Sequence, residues 1–547
     1  MIFLSTLLFS VIITIVLIPA LAGAATRLQF VDVPDERKLH GRPVPVVGGI
    51  AMAIGAIVPV AYWQSGDDFV RAWIIGSVVL VAFGMIDDFR GMSPGMKFAG
   101  QIAAALVVIL YGGIKIRSFG MLLPDGLQAP DWLAISLTLI AVVGVTNAIN
   151  LADGLDGLAG GISMLIFCAI GYLAYLEGDT SIGFIALALG GAIFGFLKFN
   201  TFPATVFMGD TGSQFLGFSA ISLSLNLTQG NTALSPLMPL LMLGLPVMDT
   251  LFVFASRMAN GKSPFAADRN HLHHRLMRMG LHHAESVVVI YVLQAALVVA
   301  AYVFRFYSDI VILAGYLAFS TVMLYALTHS GRIGWHMNRY GWFDNVFKRT
   351  LRRWRDDGTI IRHTFRLFEI GMPALLLLTC FIPESVPHYV MWLSPAFAAA
   401  IILAWRLKKT LLGTVIRLAL YMTIPFVVYL SETAPAAWMS GMPARLNNII
   451  IAVLTLLIIV ISKFSRRQRG FKSTPMDFLI LFLAVACPYL PIQNMGDYRI
   501  GLIAAKIIVF FFCYEVMLAE LRGKYNRVAP ALILSLAVLA VKGMAGG

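Results

Sequence analysis

Residues 132–157 read WLAISLTLIAVVGVTNAINLADGLDG. The stretch opens as an apolar run and closes on Asn147, Asn150, Asp153 and Asp156, with Gly154 and Gly157 set among them. About 20 apolar residues cross a bilayer as a helix, so residues 132–149 predict a span with a polar end at one membrane face. Asn147, Asn150 and Asp153 recur at i, i+3 and i+6, which on a helix places them roughly along one face. The two glycines then open the backbone for close approach of a ligand. Carboxylate and amide oxygens suit Mg²⁺, which keeps phosphate oxygens and water as its other ligands.

Outward from this stretch the same pattern repeats. Apolar runs lie near 2–25, 46–63, 72–88, 97–113, 132–149, 161–176, 182–198, 206–225, 235–257, 287–304 and 309–328. After a basic stretch they resume near 367–382, 390–406, 411–431, 446–462, 475–492, 500–520 and 528–543. The chain has 547 residues, of which 59% are hydrophobic and 13% charged. A soluble domain is closer to half apolar and a quarter charged. The fold class is therefore all-α, a polytopic integral membrane protein with about 11 helices in a first block and about 7 in a second. The opening run lacks a basic leader and other spans follow it at once, so it reads as a retained helix. Cys168, Cys380, Cys487 and Cys513 sit in apolar stretches without metal-ligand spacing, as packing residues with no disulfide framework.

The formal net charge is +13. In a soluble protein that would suggest nucleic acid. Here the basic residues occupy short loops, which points to membrane topology and anionic headgroups instead. With the N-terminus outside, the inside loops hold Arg27, Arg37, Lys38 and Arg42, then Arg90, then Lys198, then Lys262, Arg269, Arg275 and Arg278. Arg71, Lys115 and Arg117 fall outside. The expected organisation is a membrane domain over 1–328, a basic interfacial linker over 329–366 carrying Trp335, Trp342 and Trp354, and a further membrane domain over 367–547 with no motif.

Five polar clusters fall at inside helix ends under this parity. The first runs from Asp32 through Asp35, Arg37, Lys38 and His40 to Gly49. It reads equally as an ordinary loop. The second is Asp87-Asp88 with Lys97 nine residues on. Adjacent carboxylates at the end of an apolar span are costly unless paired or metal-bound, and such a pair pushes one pKa up. The third is the stretch quoted above. The fourth runs from Asn200 to Phe207 and on to Gly209-Asp210-Thr-Gly212-Ser213, an Asp between glycines at a helix start. That suits a metal, a phosphate or a plain N-cap. The fifth is Asp268-Arg269-Asn270-His271-Leu-His273-His274-Arg275. With no cysteine near it, it reads as a phosphate clamp rather than a zinc site. A transporter would more often bury its polar residues near mid-membrane, so transport or flipping ranks below an enzyme here.

In this order the clusters resemble the polyprenyl-phosphate N-acetylhexosamine-1-phosphate transferase superfamily, glycosyltransferase family 4. The resemblance covers roughly residues 1–328. The His271-Leu-His273-His274 form is similar to that of its UDP-GlcNAc branch. Residues 367–547 have no counterpart in it.

The resemblance implies transfer of GlcNAc-1-phosphate from UDP-GlcNAc to undecaprenyl phosphate, with release of UMP, as the start of a lipid-linked cell-envelope glycan. Another UDP-N-acetylhexosamine is the alternative donor. It implies Mg²⁺, with Mn²⁺ as the alternative, held by Asn150 and Asp210. The catalytic candidates are Asp87, Asp88, Lys97, Asp153 and Asp156, with Lys97 on the acceptor phosphate. Which of Asp87 and Asp88 acts as base is left open. Asp153, Asp156, Asn200 and Phe207 would surround the uridine, with Phe207 stacking on uracil. Arg269, His271, His273, His274 and Arg275 would hold sugar and pyrophosphate, Lys38 would line the nucleotide side, and Asn147 completes the substrate-binding set. The implied setting is the bacterial inner membrane with the site facing the cytoplasm. The implied partners are the donor, the lipid acceptor, the bilayer and, as an open option, a second copy in a homodimer.

Overall fold

The computed structural model describes residues 2–32, 43–64, 66–124, 127–230, 232–263, 270–333, 359–407, 409–439, 441–464, 500–521 and 525–545. The chain divides into two compact units, Met1–Met337 and Asn338–Gly547. The boundary falls inside the basic stretch. The expected span near 475–492 lies outside the described residues, as does most of the expected linker.

The first unit is a helical bundle. Its elements are α1 (Ile2–Arg27), α2 (Gly48–Gln64), α3 (Asp68–Arg90), α4 (Pro94–Leu106, continued as one π-helical turn to Tyr111), α5 (Asp131–Ala152), α6 (Leu158–Glu177) and α7 (Thr180–Asn200). They continue as α8 (Gly209–Gln229), α9 (Met238–Met242), α10 (Gly244–Ala259), α11 (Leu272–Arg278), α12 (His283–Val303) and α13 (Asp309–Ile333). Across the whole chain, ten of the described helices are long and apolar enough to cross a membrane. This is a multi-pass membrane protein.

Several helices run past the apolar segments that announced them, because capping groups, not hydropathy, set their ends. Asp67 accepts from the N–H groups of Phe69 and Val70 and starts α3. Ser93 accepts from Met96 N–H, and Pro94, whose missing N–H costs nothing in a first turn, starts α4. α5 stops at Ala152, so Asn147 and Asn150 are helical while Asp153 caps the end in a non-helical conformation.

α8 is the central helix, packed against α2, α3, α5 and α6 and buried from Thr211 to Leu225. It is rich in small polar residues, which let neighbouring backbones approach closely in a membrane bundle. Ser224 donates to Ala220 O (2.7 Å), and Ser219 accepts from the Trp73 indole (3.0 Å).

The run at 235–257 is not one span. It breaks into α9 and α10 at Leu243. Pro246 has no N–H to give to the carbonyl four residues back, and Gln294 of α12 donates to Met242 O instead (2.7 Å). Tyr316 of α13 donates to Gly244 O (3.0 Å).

A two-stranded antiparallel pair, β1 (Val31–Asp32) and β2 (Val44–Pro45), leads into α2. At the opposite end of the bundle, Gln229 Oε1 accepts from the N–H groups of Arg117 and Ser118, and Asp309 accepts from Met121 N–H.

The second unit has described helices over Thr359–Phe381, Val390–Leu407, Lys409–Thr433, Met442–Phe464, Ile500–Leu521 and Val528–Ala545. Arg417 pairs with Glu515 (3.1 Å) and Lys506 with Glu432 (2.5 Å), each pair joining Lys409–Thr433 to Ile500–Leu521. The members of these pairs stand singly in apolar sequence, so no local pattern announces them.

Candidate active site

The end of α3 and the starts of α4 and α8 meet at one point. The Lys97 ammonium lies 2.5 Å from Asp87 Oδ2 and 2.8 Å from Asp210 Oδ2. An ammonium has three donors, so one N–H remains beyond these two contacts. Asp87 also accepts from Met92 N–H (2.7 Å), which fixes the turn between α3 and α4.

Asp88 faces the other way. It accepts from Asp210 N–H (2.8 Å), Thr211 N–H (3.0 Å) and Thr211 Oγ1 (2.6 Å). Both its oxygens serve the N-terminus of α8, where backbone donors lack helical partners. The adjacent carboxylates therefore divide their work: Asp87 meets the ammonium, and Asp88 seats the helix that carries Asp210. The fit requires Gly209, whose φ is +68° and whose added Cβ would lie 2.4 Å from Asp88 Oδ2.

The α5–α6 loop completes this end. Asn150 Oδ1 accepts from Ser213 Oγ (2.7 Å), three residues after Asp210 on α8. Asn147 turns inward. Its amide donates to Gln101 (2.7 Å) and Val143 O (2.8 Å) and accepts from Gln101, in a network that includes Gln214. Asn147 thus braces α4, α5 and α8 together.

Asp156 Oδ2 accepts from Ala204 N–H (2.9 Å). Buried Asn200 accepts from Gly157 N–H (2.9 Å) and donates to Val206 O (3.0 Å). These two side chains cross-brace the α5–α6 and α7–α8 loops. Phe207 is placed by its backbone, which donates to Pro45 O and accepts from Gly48 N–H (both 2.9 Å), and its ring is partly exposed. The Asp153 carboxyl is partly exposed, and burial, then the neighbouring Asp210, Asp156 and Asp88 carboxylates, push it up to about 7.

The histidine segment closes over this loop. His271 Nδ1 lies 2.9 Å from Asp249 Oδ2, while Asp249 Oδ1 accepts from Leu272 N–H (2.8 Å). The buried His273 ring covers Gly154, where an added Cβ would lie 2.3 Å from Nε2. Burial and the adjacent His274, His271 and His283 hold His273 down at about 3, so it is neutral. The His274 ring lies 4.2 Å from that of His273. Arg275 sits over the Phe252 ring of α10 (4.1 Å) and donates to Asn270 O. Lys38 and Arg269 lie outside the described residues.

A glycosyl transferase family 4 profile matches residues 70–228, a range containing every residue above from Asp87 to Asp210. The probable undecaprenyl-phosphate N-acetylglucosaminyl 1-phosphate transferase of Bacillus subtilis is 36% identical over 300 residues, which is 54% of this chain and 83% of that protein. The chain belongs to glycosyl transferase family 4. The undecaprenyl-phosphate alpha-N-acetylglucosaminyl 1-phosphate transferase of Escherichia coli K12 is 33% identical over 292 residues, 52% of this chain and 79% of that one. The protein of the same name from Salmonella typhimurium is 31% identical over 359 residues, 65% and 97% respectively.

In this family-4 chain the donor chemistry fits a hard divalent cation. Asn150 and Asp210 offer an amide and a carboxylate oxygen, and the Asp153 carboxyl is raised first by burial and then by the neighbouring Asp210, Asp156 and Asp88 carboxylates. Among the described residues no three His, Cys, Asp or Glu side chains form a ready metal cage. Mg²⁺ commonly takes one or two protein carboxylates and fills its shell from phosphate and water.

Sequence reasoning missed several members of this family-4 site. Asp249 had a signal, as the one acidic residue in the apolar run 235–257. Thr211 and Ser213 were inside a quoted cluster but carried no charge to single them out. Gln101 and Gln214 are set by tertiary contact, with no local pattern.

Proposed function

We propose that this chain transfers GlcNAc-1-phosphate from UDP-GlcNAc to undecaprenyl phosphate and releases UMP. Membership of family 4 supplies the reaction class. The observation that carries the reading is the Lys97 ammonium bridging Asp87 and Asp210 with one donor to spare.

In this reading an acceptor phosphate oxygen takes that third N–H and is held for in-line attack on the donor β-phosphorus. The bond from that phosphorus to the oxygen bridging the α-phosphate breaks, UMP leaves, and the lipid gains a pyrophosphate link to the sugar. Phosphoryl transfer depends mainly on positioning and charge neutralisation. Asp87 fixes Lys97 and is the carboxylate placed to take a proton from an incoming monoanionic phosphate. Asn150 and Asp210 would hold Mg²⁺, which supplies charge neutralisation on the pyrophosphate. Asp153, next to the loop that Asp156 and Asn200 brace, faces the nucleotide. Neutral His273 and Asp249-held His271 offer ring nitrogens to sugar or pyrophosphate. Every residue in this account belongs to the first unit.

The setting follows from charge. The basic loops flank the ends where the site assembles, so we place the site on the cytoplasmic face of the bacterial inner membrane. The test is UMP release by the purified full chain. It requires undecaprenyl phosphate, stops with EDTA and returns with Mg²⁺. UMP release that ignores the acceptor, or restoration by Zn²⁺ alone, contradicts the reading.

A further inference from the structure

We propose that His283, at the start of α12, is a positioning residue for the nucleotide sugar, acting through the Asp153–Gly157 loop. The inference rests on the function proposed above and deepens it. His283 Nε2 accepts from Asp156 N–H (3.1 Å). Its ring stacks on Phe202 (4.5 Å, 28°) in the α7–α8 loop. One side chain therefore touches both loops that Asp156 and Asn200 already brace. Eight residues further along α12, the Tyr291 hydroxyl donates to Gly157 O (2.5 Å). Glu285 accepts from His282 N–H (2.7 Å) at the first turn of α12.

The orientation of this ring serves the loop. An imidazole that accepts through Nε2 carries its proton on Nδ1. That Nδ1 is buried and has no partner among the described residues. A ring placed only for packing would be expected to satisfy both nitrogens, since an unpaired buried donor costs free energy. Here the second nitrogen is left unpaired while the first holds Asp156 N–H.

The consequence is a population effect. Without the acceptor, Asp156 N–H loses its partner and the loop spends less time in its binding conformation. Apparent affinity falls by the fraction of chains that remain competent. The bound state, once formed, reacts much as before, so the effect belongs in KM for the donor.

The experiment measures donor KM and kcat on the full chain in detergent. His283→Phe keeps an aromatic ring against Phe202 but has no acceptor, and its donor KM should rise about 10- to 100-fold with kcat changed less than about threefold. His283→Gln restores an acceptor and should stay within about threefold of wild type. Calorimetric titration with UDP on the same variants should show the same order without needing turnover. An unchanged KM and UDP affinity in His283→Phe overturns the proposal, as does an equal loss in His283→Gln. If His283→Phe does not fold, His283→Gln and Phe202→Ala carry the test. The first must keep its affinity, and the second, which frees the ring, must lose it. A wild-type chain that binds UDP but does not turn over UDP-GlcNAc would sink the proposed donor and leave the UDP comparison standing.

Discussion

Asp87 and Asp88 are neighbours in the chain and opposites in use. Asp88 receives three donors at the start of α8, two of them backbone N–H groups. Asp88→Asn turns an NH₂ toward at least one of those donors. An unmade buried hydrogen bond costs ~1–3 kcal/mol, so this variant should lower the thermal midpoint as well as turnover. Asp87→Asn keeps an acceptor for Met92 N–H and should act mainly on turnover. Melting in detergent beside UMP release separates the two, and equal midpoints would contradict the division of roles.

The Asp153 carboxyl, raised to about 7, has a pH consequence. The folded state holds this proton more tightly than the unfolded state does. Its contribution to stability is therefore full below about pH 4 and is lost as pH rises toward about 7. His273, held down at about 3, has the opposite slope, because the unfolded state takes up the proton that the folded state refuses. The two partly cancel in the wild type. The informative quantity is the difference between wild type and Asp153→Asn, measured without divalent cations. The Asn variant should gain stability relative to wild type from about pH 4 to about pH 7, and a flat difference would place the Asp153 proton elsewhere.

At the scale of the element, the break between α9 and α10 shows how a membrane helix ends without water. Pro246 cannot serve the Met242 carbonyl, and the Gln294 amide does. Gln294→Leu should lower thermal stability by ~1–3 kcal/mol and leave donor KM within about twofold. A stability equal to wild type would show that another group serves the carbonyl.

The same break shows what the sequence could carry. Among the described residues, hydropathy located nearly every long helix, because a helix that crosses a bilayer needs about 20 apolar residues. It could not see Gln294 or Tyr316 arriving from other helices, so 235–257 read as one span. The site divides likewise. Asp87, Lys97, Asp153 and Asp210 were legible because a charge at the end of an apolar run needs a reason. Asn147 was legible as a polar position on a helix face, but spacing along a helix does not say which neighbour that face meets, here Gln101 of α4. His283 had no signal, since its partners Asp156 and Phe202 lie on distant loops of the chain.

At the scale of the whole molecule, the first unit gathers the ends of α3, α5 and α7 and the starts of α4, α6 and α8 at one face. A cysteine replacing exposed Ser263, between α10 and the histidine segment, should resist an impermeant thiol reagent in intact cells and react after permeabilisation. Labelling in intact cells would put the site on the wrong side for a cytoplasmic donor.

The central claim is that phosphorus moves from nucleotide to lipid. It is tested most directly by giving the purified chain UDP-GlcNAc labelled at the β-phosphorus together with undecaprenyl phosphate and Mg²⁺, then separating lipid from water. The account predicts label in the lipid fraction in step with UMP release, and loss of both in Lys97→Met. Label that stays in water as free sugar phosphate would mean hydrolysis, and label that stays in intact nucleotide would mean no reaction. Either result would contradict the account.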